Sequence, residues 1–282
     1  MSQTFLTLYK GNDPVVIEKY SEFRNIPIKK RTFRAKEWFY FDSQSGTETI
    51  LFLHGMAGAY DFWWQQYFEF KDNYRLIIPT YPAVDNLEEV GLALMDILNH
   101  EKIGKVHVIG SSMGGYFAQY LLTHFYNRIE KIVFGNTFPP EHSFRKKYQW
   151  LLPFSTLISE KRLLKTIRNR LDKPFKEADY HPIVMAHLLE NTYGSMSKQQ
   201  FIARYKCIIE RFEPRTIEEI ENPILIFESD NDNVVNQFED LRTRLKQTYP
   251  IAKVHTFEKK GHFPYLNATA EYNERLRRFL EA

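Results

Sequence analysis

Residues 110–115 read Gly-Ser-Ser-Met-Gly-Gly, directly after the apolar run Val106-His107-Val108-Ile109 and directly before a helical pattern starting at Tyr116. A serine with glycine two residues before and two after, on a sharp turn from buried strand to helix, is the pattern of a nucleophile elbow. The glycines set the register. Ser112 has Gly110 and Gly114 at those places, whereas Ser111 would have Ile109 and Met113, too bulky for so tight a turn. The ordinary alternative is a Gly-rich turn in which Ser112 only starts the helix. Ser112 is the candidate nucleophile, and the rest of the chain must supply its partners.

A serine hydroxyl needs a base to take its proton and a third group to orient that base. On a strand–turn–helix scaffold these follow in the order Ser, Asp or Glu, His. Lys260-Gly261-His262-Phe263-Pro264 places a histidine in a Gly/Pro-marked loop, just after the strand-like Lys253–Phe257. Upstream, Pro223-Ile224-Leu225-Ile226-Phe227 suits a strand buried on both faces, and it runs into Glu228-Ser229-Asp230-Asn231-Asp232. Open α/β sheets put their sites at the carboxyl ends of such strands. Asp230 and Asp232 compete for the acid role. Asp232 is preferred because it lies deeper in the loop and Val234-Val235 can anchor it, while Asp230 also reads as a turn former.

The negative charge that develops on an attacked carbonyl needs two backbone N–H groups. Met113, after the nucleophile, supplies one, and the loop after an earlier strand supplies the other. Ile50-Leu51-Phe52-Leu53-His54-Gly55-Met56-Ala57-Gly58 has that form, with the Met56 N–H as expected donor. Of the aromatics that follow, Phe62, Trp63 and Trp64, one or more is expected to wall an acyl pocket, Phe62 and Trp63 being the candidates put forward, and the others to pack in the core.

With these four segments in order, the chain resembles the α/β-hydrolase superfamily from the His54-Gly55 loop to the His262-Phe263-Pro264 loop. Tyr81-Pro82, Gly110–Gly115, Gly135-Asn136-Thr137-Phe138 and Phe263-Pro264-Tyr265-Leu266 look like its maspardin-type branch. The resemblance implies a mostly parallel twisted sheet flanked by helices, an inserted helical cap, and no cofactor or metal. Many ester and epoxide hydrolases of the superfamily carry Asp-x-x-Gly-x-Gly-x-Ser where this chain has Thr80-Tyr81-Pro82-Ala83-Val84, so their substrates do not transfer. Some members of the maspardin-type branch keep the serine without matching His and acid and are thought to act as binding proteins. Asp232 and His262 are both present here, which favours catalysis; a non-catalytic binding or adaptor protein on the same scaffold is the alternative. Serine at 112 argues against chemistry that needs a carboxylate nucleophile. The reading implied is a serine hydrolase of esterase type, acting through an acyl-enzyme on a small to medium acyl substrate.

Composition narrows the rest. At 282 residues the chain can bury a sizeable core, and a formal charge of +3 is too small to argue for a nucleic-acid partner. No phosphate-cradle or zinc-protease motif appears. The single cysteine, Cys207, excludes an internal disulfide and reads as a buried thiol in a helix. Met1–Asn12 lacks the pattern of a signal peptide. The apolar-leaning stretch Tyr148–Ser159 is shorter than a membrane span, so a soluble, cytoplasmic protein is expected.

Strands are expected at 28–34, 37–42, 48–53, 75–79, 105–110, 130–135, 223–228 and 252–258. Helices are expected at 61–70, 86–101, 113–126, 236–248 and 269–281. Alternation from the third strand onward implies right-handed βαβ units. It stops between Phe138 and Pro223, so residues 1–138 and 223–282 are read as the core and 139–222 as a helical cap over Ser112. Within the cap, Arg145–Arg170 holds eight Lys or Arg against one acid, Glu160, with Leu163, Leu164, Ile167 and Leu171 at helical spacing. Such a helix can touch an anionic membrane surface, but the plainer expectation is one packed and one solvated face. His181 and His187 lack a companion ligand set and read as surface or packing residues. Oligomeric state has no signature in the chain.

Overall fold

The computed structural model describes residues 7–140, 157–166, 169, 182–191, 196–236 and 240–282. Eight strands form one sheet: β1 (Lys29–Phe33), β2 (Lys36–Asp42), β3 (Glu48–Leu53), β4 (Tyr74–Thr80), β5 (Val106–Ser111), β6 (Ile129–Gly135), β7 (Ile224–Ser229) and β8 (Lys253–Phe257). Their spatial order is β1-β2-β4-β3-β5-β6-β7-β8. Pairing is antiparallel at β1–β2 and β2–β4 and parallel through the rest. Every expected strand is present.

The central strands are continuous apolar runs because both faces of the sheet are covered. Leu51, Leu53, Ile132, Phe134, Ile224 and Ile226 belong to one core. Their alternating neighbours Ile50, Phe52, Val133, Leu225 and Phe227 belong to another. That division is the two-residue side-chain period of a strand, repeated across the sheet. The first core is closed by α3 (Leu87–His100), α4 (Met113–His124) and α7 (Leu241–Thr248). The second is closed by α1 (Pro14–Asn25), α2 (Trp64–Phe70), α8 (Pro264–Asn267) and α9 (Thr269–Glu281). On α9, Tyr272, Leu276, Phe279 and Leu280 are buried at helical spacing. Sequence periodicity does not reveal α1, because only Tyr20 and Phe23 of its twelve residues are buried. The helix expected from 236 starts only at Leu241, after Asp240 in a left-handed conformation.

Between β6 and β7 the described residues include a helical stretch over 160–166, α5 (Pro182–Glu190) and α6 (Lys198–Ile209). Leu163 and Leu164 are buried and Lys161, Arg162 and Lys165 exposed; most of the remaining basic stretch, and His181, lie outside the described residues. A polar knot ties α5 to the core. Tyr9 donates to Glu190 Oε2 at 2.8 Å, and Arg24 pairs with Glu190 at 2.6 Å. His187 is fully buried, its Nε2 accepting from the Trp64 indole at 3.1 Å and its Nδ1 lying 2.8 Å from the Tyr9 hydroxyl. An indole only donates, so Nε2 carries no proton and the ring is neutral.

Burial pushes His187 down to about 3. It also pushes down His54, where Arg204 adds to the effect, and His107. These rings resist protonation in the fold and accept it when unfolded. Stability should therefore be full above the ordinary histidine value near 6.5 and fall as pH drops below it, for His187 by up to about 1.4 kcal/mol per pH unit on the way toward 3. Denaturant unfolding at pH 7.5 and 5 checks this. Equal midpoints at the two pH values would contradict it.

Candidate active site

The elbow joins β5 to α4. Ser112 sits there at φ 56° and ψ −119°, a sparsely populated backbone conformation for a residue with a side chain. Neighbouring bonds hold it. Its N–H donates to Gly135 O at 2.8 Å, and its carbonyl accepts from the Thr137 hydroxyl at 2.7 Å and Tyr116 N–H at 3.1 Å. A Cβ on Gly110 would stand 2.2 Å from Gly114 O, and one on Gly114 2.1 Å from Leu53 O. Backbone atoms make those contacts and cannot swing aside, so the two glycines let helix, elbow and β3 approach one another. Met113 is the first residue of α4, where an N–H has no intrahelical acceptor and the helix dipole is positive.

Asp232 lies in the loop after β7 and His262 in the loop after β8, both almost wholly buried. His262 Nδ1 stands 3.0 Å from Asp232 Oδ1 and 2.9 Å from Oδ2. An ionised carboxylate only accepts, so the bond puts a proton on Nδ1, and in the neutral ring this tautomer leaves the lone pair on Nε2. The same carboxylate accepts from Val234 N–H at 3.0 Å, Val235 N–H at 3.1 Å and Asn136 Nδ2 at 2.9 Å. Burial raises the Asp232 carboxyl, but the facing imidazole and these donors outweigh it and hold it below the usual range. Asp230 is exposed and accepts from Lys259 N–H at 2.7 Å. Of the two acids, the structure brings Asp232 to the histidine.

Asn136 is the residue sequence reasoning missed. It follows β6 at φ 43°, a left-handed conformation that asparagine tolerates, and is buried. Its amide reaches Asp232, Ser229 Oγ at 3.3 Å and Gly261 O at 3.3 Å, joining the acid loop to the histidine loop. Its sequence signals were its place at a strand's carboxyl end and its membership of the Gly135-Asn136-Thr137-Phe138 segment that carries the family resemblance, neither of which assigns it a role.

The loop after β3 forms the opposite wall. His54 Nδ1 lies 2.8 Å from Gly55 O, which also accepts Gly58 N–H at 3.1 Å. A carbonyl only accepts, so His54 carries its proton on Nδ1. A planar trans peptide then sends the Met56 N–H opposite to that anchored carbonyl.

These segments enclose a cavity of about 210 Å³ lined by Gly55, Met56, Ala57, Gly58, Phe62, Ser112, Leu188, Phe201, Val234, His262, Phe263 and Tyr265. Ser112 and His262 thus face one space, with Leu188 of α5 and Phe201 of α6 in its wall. Phe62 lines it. Trp63 does not: its ring is fully buried, stacked on Tyr265 at 4.3 Å and packed on Phe52 at 4.8 Å. It falls on the sheet-facing side of its 3-10 turn, an orientation that spacing does not reveal. Cys207 is buried, its thiol 3.4 Å from Val84 O. Among the described residues no cluster of His, Cys, Asp and Glu could hold a metal ion, and no helix is long and apolar enough to cross a membrane.

Residues 50–275 match the model of the family described as "Alpha/beta hydrolase family". The chain is 26% identical over 270 residues to maspardin of Danio rerio, covering 90% of this chain and 83% of that protein. A hydrolase from Pseudomonas aeruginosa PA01 superposes with a TM-score of 0.75 at 14% identity, over 92% of this chain and all of that one. A thermophilic esterase from Thermogutta terrifontis does so with a TM-score of 0.73 at 19% identity, covering 90% of this chain and 98% of that one. At such identities the solved structures establish the fold, that of the α/β hydrolases.

Proposed function

We propose that this chain, which belongs to the alpha/beta hydrolase family, is a serine hydrolase that cleaves a small to medium, neutral ester or related acyl compound. The observation that carries this reading is Ser112, on its strained elbow, facing the same cavity as an Asp232-bound His262.

In the proposed cycle, Ser112 Oγ attacks the carbonyl carbon as His262 Nε2 takes its proton. The carbonyl electron pair moves onto oxygen, where the N–H groups of Met56 and Met113 receive it. Each such donor lowers the barrier by about 2.7–4 kcal/mol. When the pair returns, the bond to the leaving group breaks and His262 gives that group its proton. Water then loses a proton to His262, attacks the acyl carbon, and displaces Ser112, which recovers the proton. Asp232 holds the imidazole in the one tautomer that serves both directions. Helices α5 and α6, between β6 and β7, act as a cap, Leu188 and Phe201 closing the cavity from above.

A cavity of about 210 Å³ walled mainly by apolar side chains and glycines suits a short uncharged acyl group. Across nitrophenyl esters of rising chain length, kcat/KM should peak at about four acyl carbons or fewer and fall more than about tenfold by twelve. Similarity to maspardin motivates the second reading, a non-catalytic binding protein on this scaffold. Failure to hydrolyse any ester of the panel above the uncatalysed rate would favour it.

A further inference from the structure

Arg204, in the middle of α6, is 2% exposed. Its Nη1 donates to Met56 O at 2.7 Å and Gly58 O at 3.0 Å, and its Nη2 to Tyr81 O at 3.2 Å. The guanidinium carbon lies 5.8 Å from the centre of the Tyr81 ring. Among the described residues no carboxylate pairs with it. A buried cation normally has an anionic partner, because desolvating an unpaired charge is costly. Burial does lower this one to about 10, which still leaves it charged at neutral pH. What it holds instead is the negative ends of peptide dipoles, two of them in the loop that carries the Met56 N–H.

The consequence is geometric and electrostatic. His54 and the Gly58 N–H fix the Gly55 carbonyl, and with it the direction of the Met56 N–H; Arg204 fixes the next carbonyl, Met56 O, and Gly58 O beyond it. All four residues from Gly55 to Gly58 line the cavity with Ser112. In a site of low dielectric, a positive charge held one peptide away from the oxyanion donors favours an anionic intermediate over a neutral ground state.

We propose that Arg204 is a positioning residue for the oxyanion loop, reaching from the excursion between β6 and β7 to set the Met56 amide and to bias the site toward the anionic tetrahedral intermediate. This rests on the hydrolase reading above. It makes the loop's catalytic geometry depend on α6 being docked.

The test compares wild type with Arg204→Met and Arg204→Lys on a short nitrophenyl ester. It adds the affinities of a trifluoromethyl ketone, which binds as an anionic tetrahedral adduct, and of an isosteric neutral amide. For Arg204→Met, kcat should fall by about 30- to 100-fold with KM changed less than about threefold. Ketone affinity should fall in parallel, while amide affinity stays within about twofold. Arg204→Lys, which keeps the charge but not the fork, should lose about three- to tenfold in kcat and in ketone affinity. It carries the test if the methionine variant does not fold. Wild-type kcat in a folded variant, or equal loss of ketone and amide binding, overturns the inference while leaving the hydrolase reading intact. A wild type that neither turns over esters nor binds the ketone overturns both.

Discussion

Ser112→Ala is expected to lower kcat by about 10⁶-fold, to the level set by substrate binding and the oxyanion donors alone. The size of the loss follows from the division of labour in the site. With no Oγ there is no covalent intermediate, and His262 has no hydroxyl to deprotonate. Alanine keeps the Cβ that the elbow already accommodates, so the glycine contacts at Gly110 and Gly114 and the Thr137 clamp on the residue-112 carbonyl persist. His262→Ala should lose a comparable factor, and the double variant little more, because nucleophile and base act as one unit. Steady-state kinetics on a short nitrophenyl ester, with unfolding curves to show intact structure, give the comparison. A Ser112→Ala variant retaining a tenth of wild-type activity would remove Ser112 from the chemistry.

The second large effect is expected at Asp232. Asp232→Asn preserves shape and volume but should reduce kcat by about 10⁴-fold. The carboxylate accepts from four groups: the His262 ring, Asn136 Nδ2 and the N–H groups of Val234 and Val235. An asparagine must turn its NH₂ toward one side of that ring of donors. Facing His262, it selects the opposite tautomer and leaves Nε2 protonated and useless as a base. Facing Asn136, it sets two amide donors against each other in a buried place. Because the fold holds the Asp232 carboxyl below its usual range, its pairing stabilises the protein fully above the ordinary carboxylate value, and this contribution is lost as pH falls below it. The asparagine variant should show a flatter decline over that acid window. Activity within about tenfold of wild type would place the orienting acid elsewhere.

The two halves of the molecule differ in how well their sequence announces them. The strands were legible because a parallel sheet covered on both faces demands unbroken apolar runs, and Ile50–Leu53 and Ile224–Phe227 are such runs. Ser112 and Asp232 were legible because each follows a buried apolar strand in a loop marked by Gly or Asp, and His262 because it sits between Gly261 and Phe263-Pro264 after the shorter, more polar β8. Helix α1 was not, since two buried rings in twelve residues make no stripe. The roles of Asn136 and Arg204 were not legible for another reason. Asn136 becomes a support only when the loops after β7 and β8 fold around it. Arg204 looks like any cation on a helix until α6 docks against the 54–58 loop. Trp63 shows the converse: adjacency to Phe62 suggested a shared wall, but neighbouring residues on a tight turn point to different sides, and Trp63 took the core.

The most direct measurement is mass spectrometric peptide mapping after reaction with a fluorophosphonate, which forms a stable phosphonyl ester only on a serine whose proton is being removed. The expected result is one adduct per chain, on Ser112 and not on the neighbouring Ser111, absent from His262→Ala and much slowed in Asp232→Asn. An unmodified wild-type chain, or an adduct on any other residue, would contradict the account.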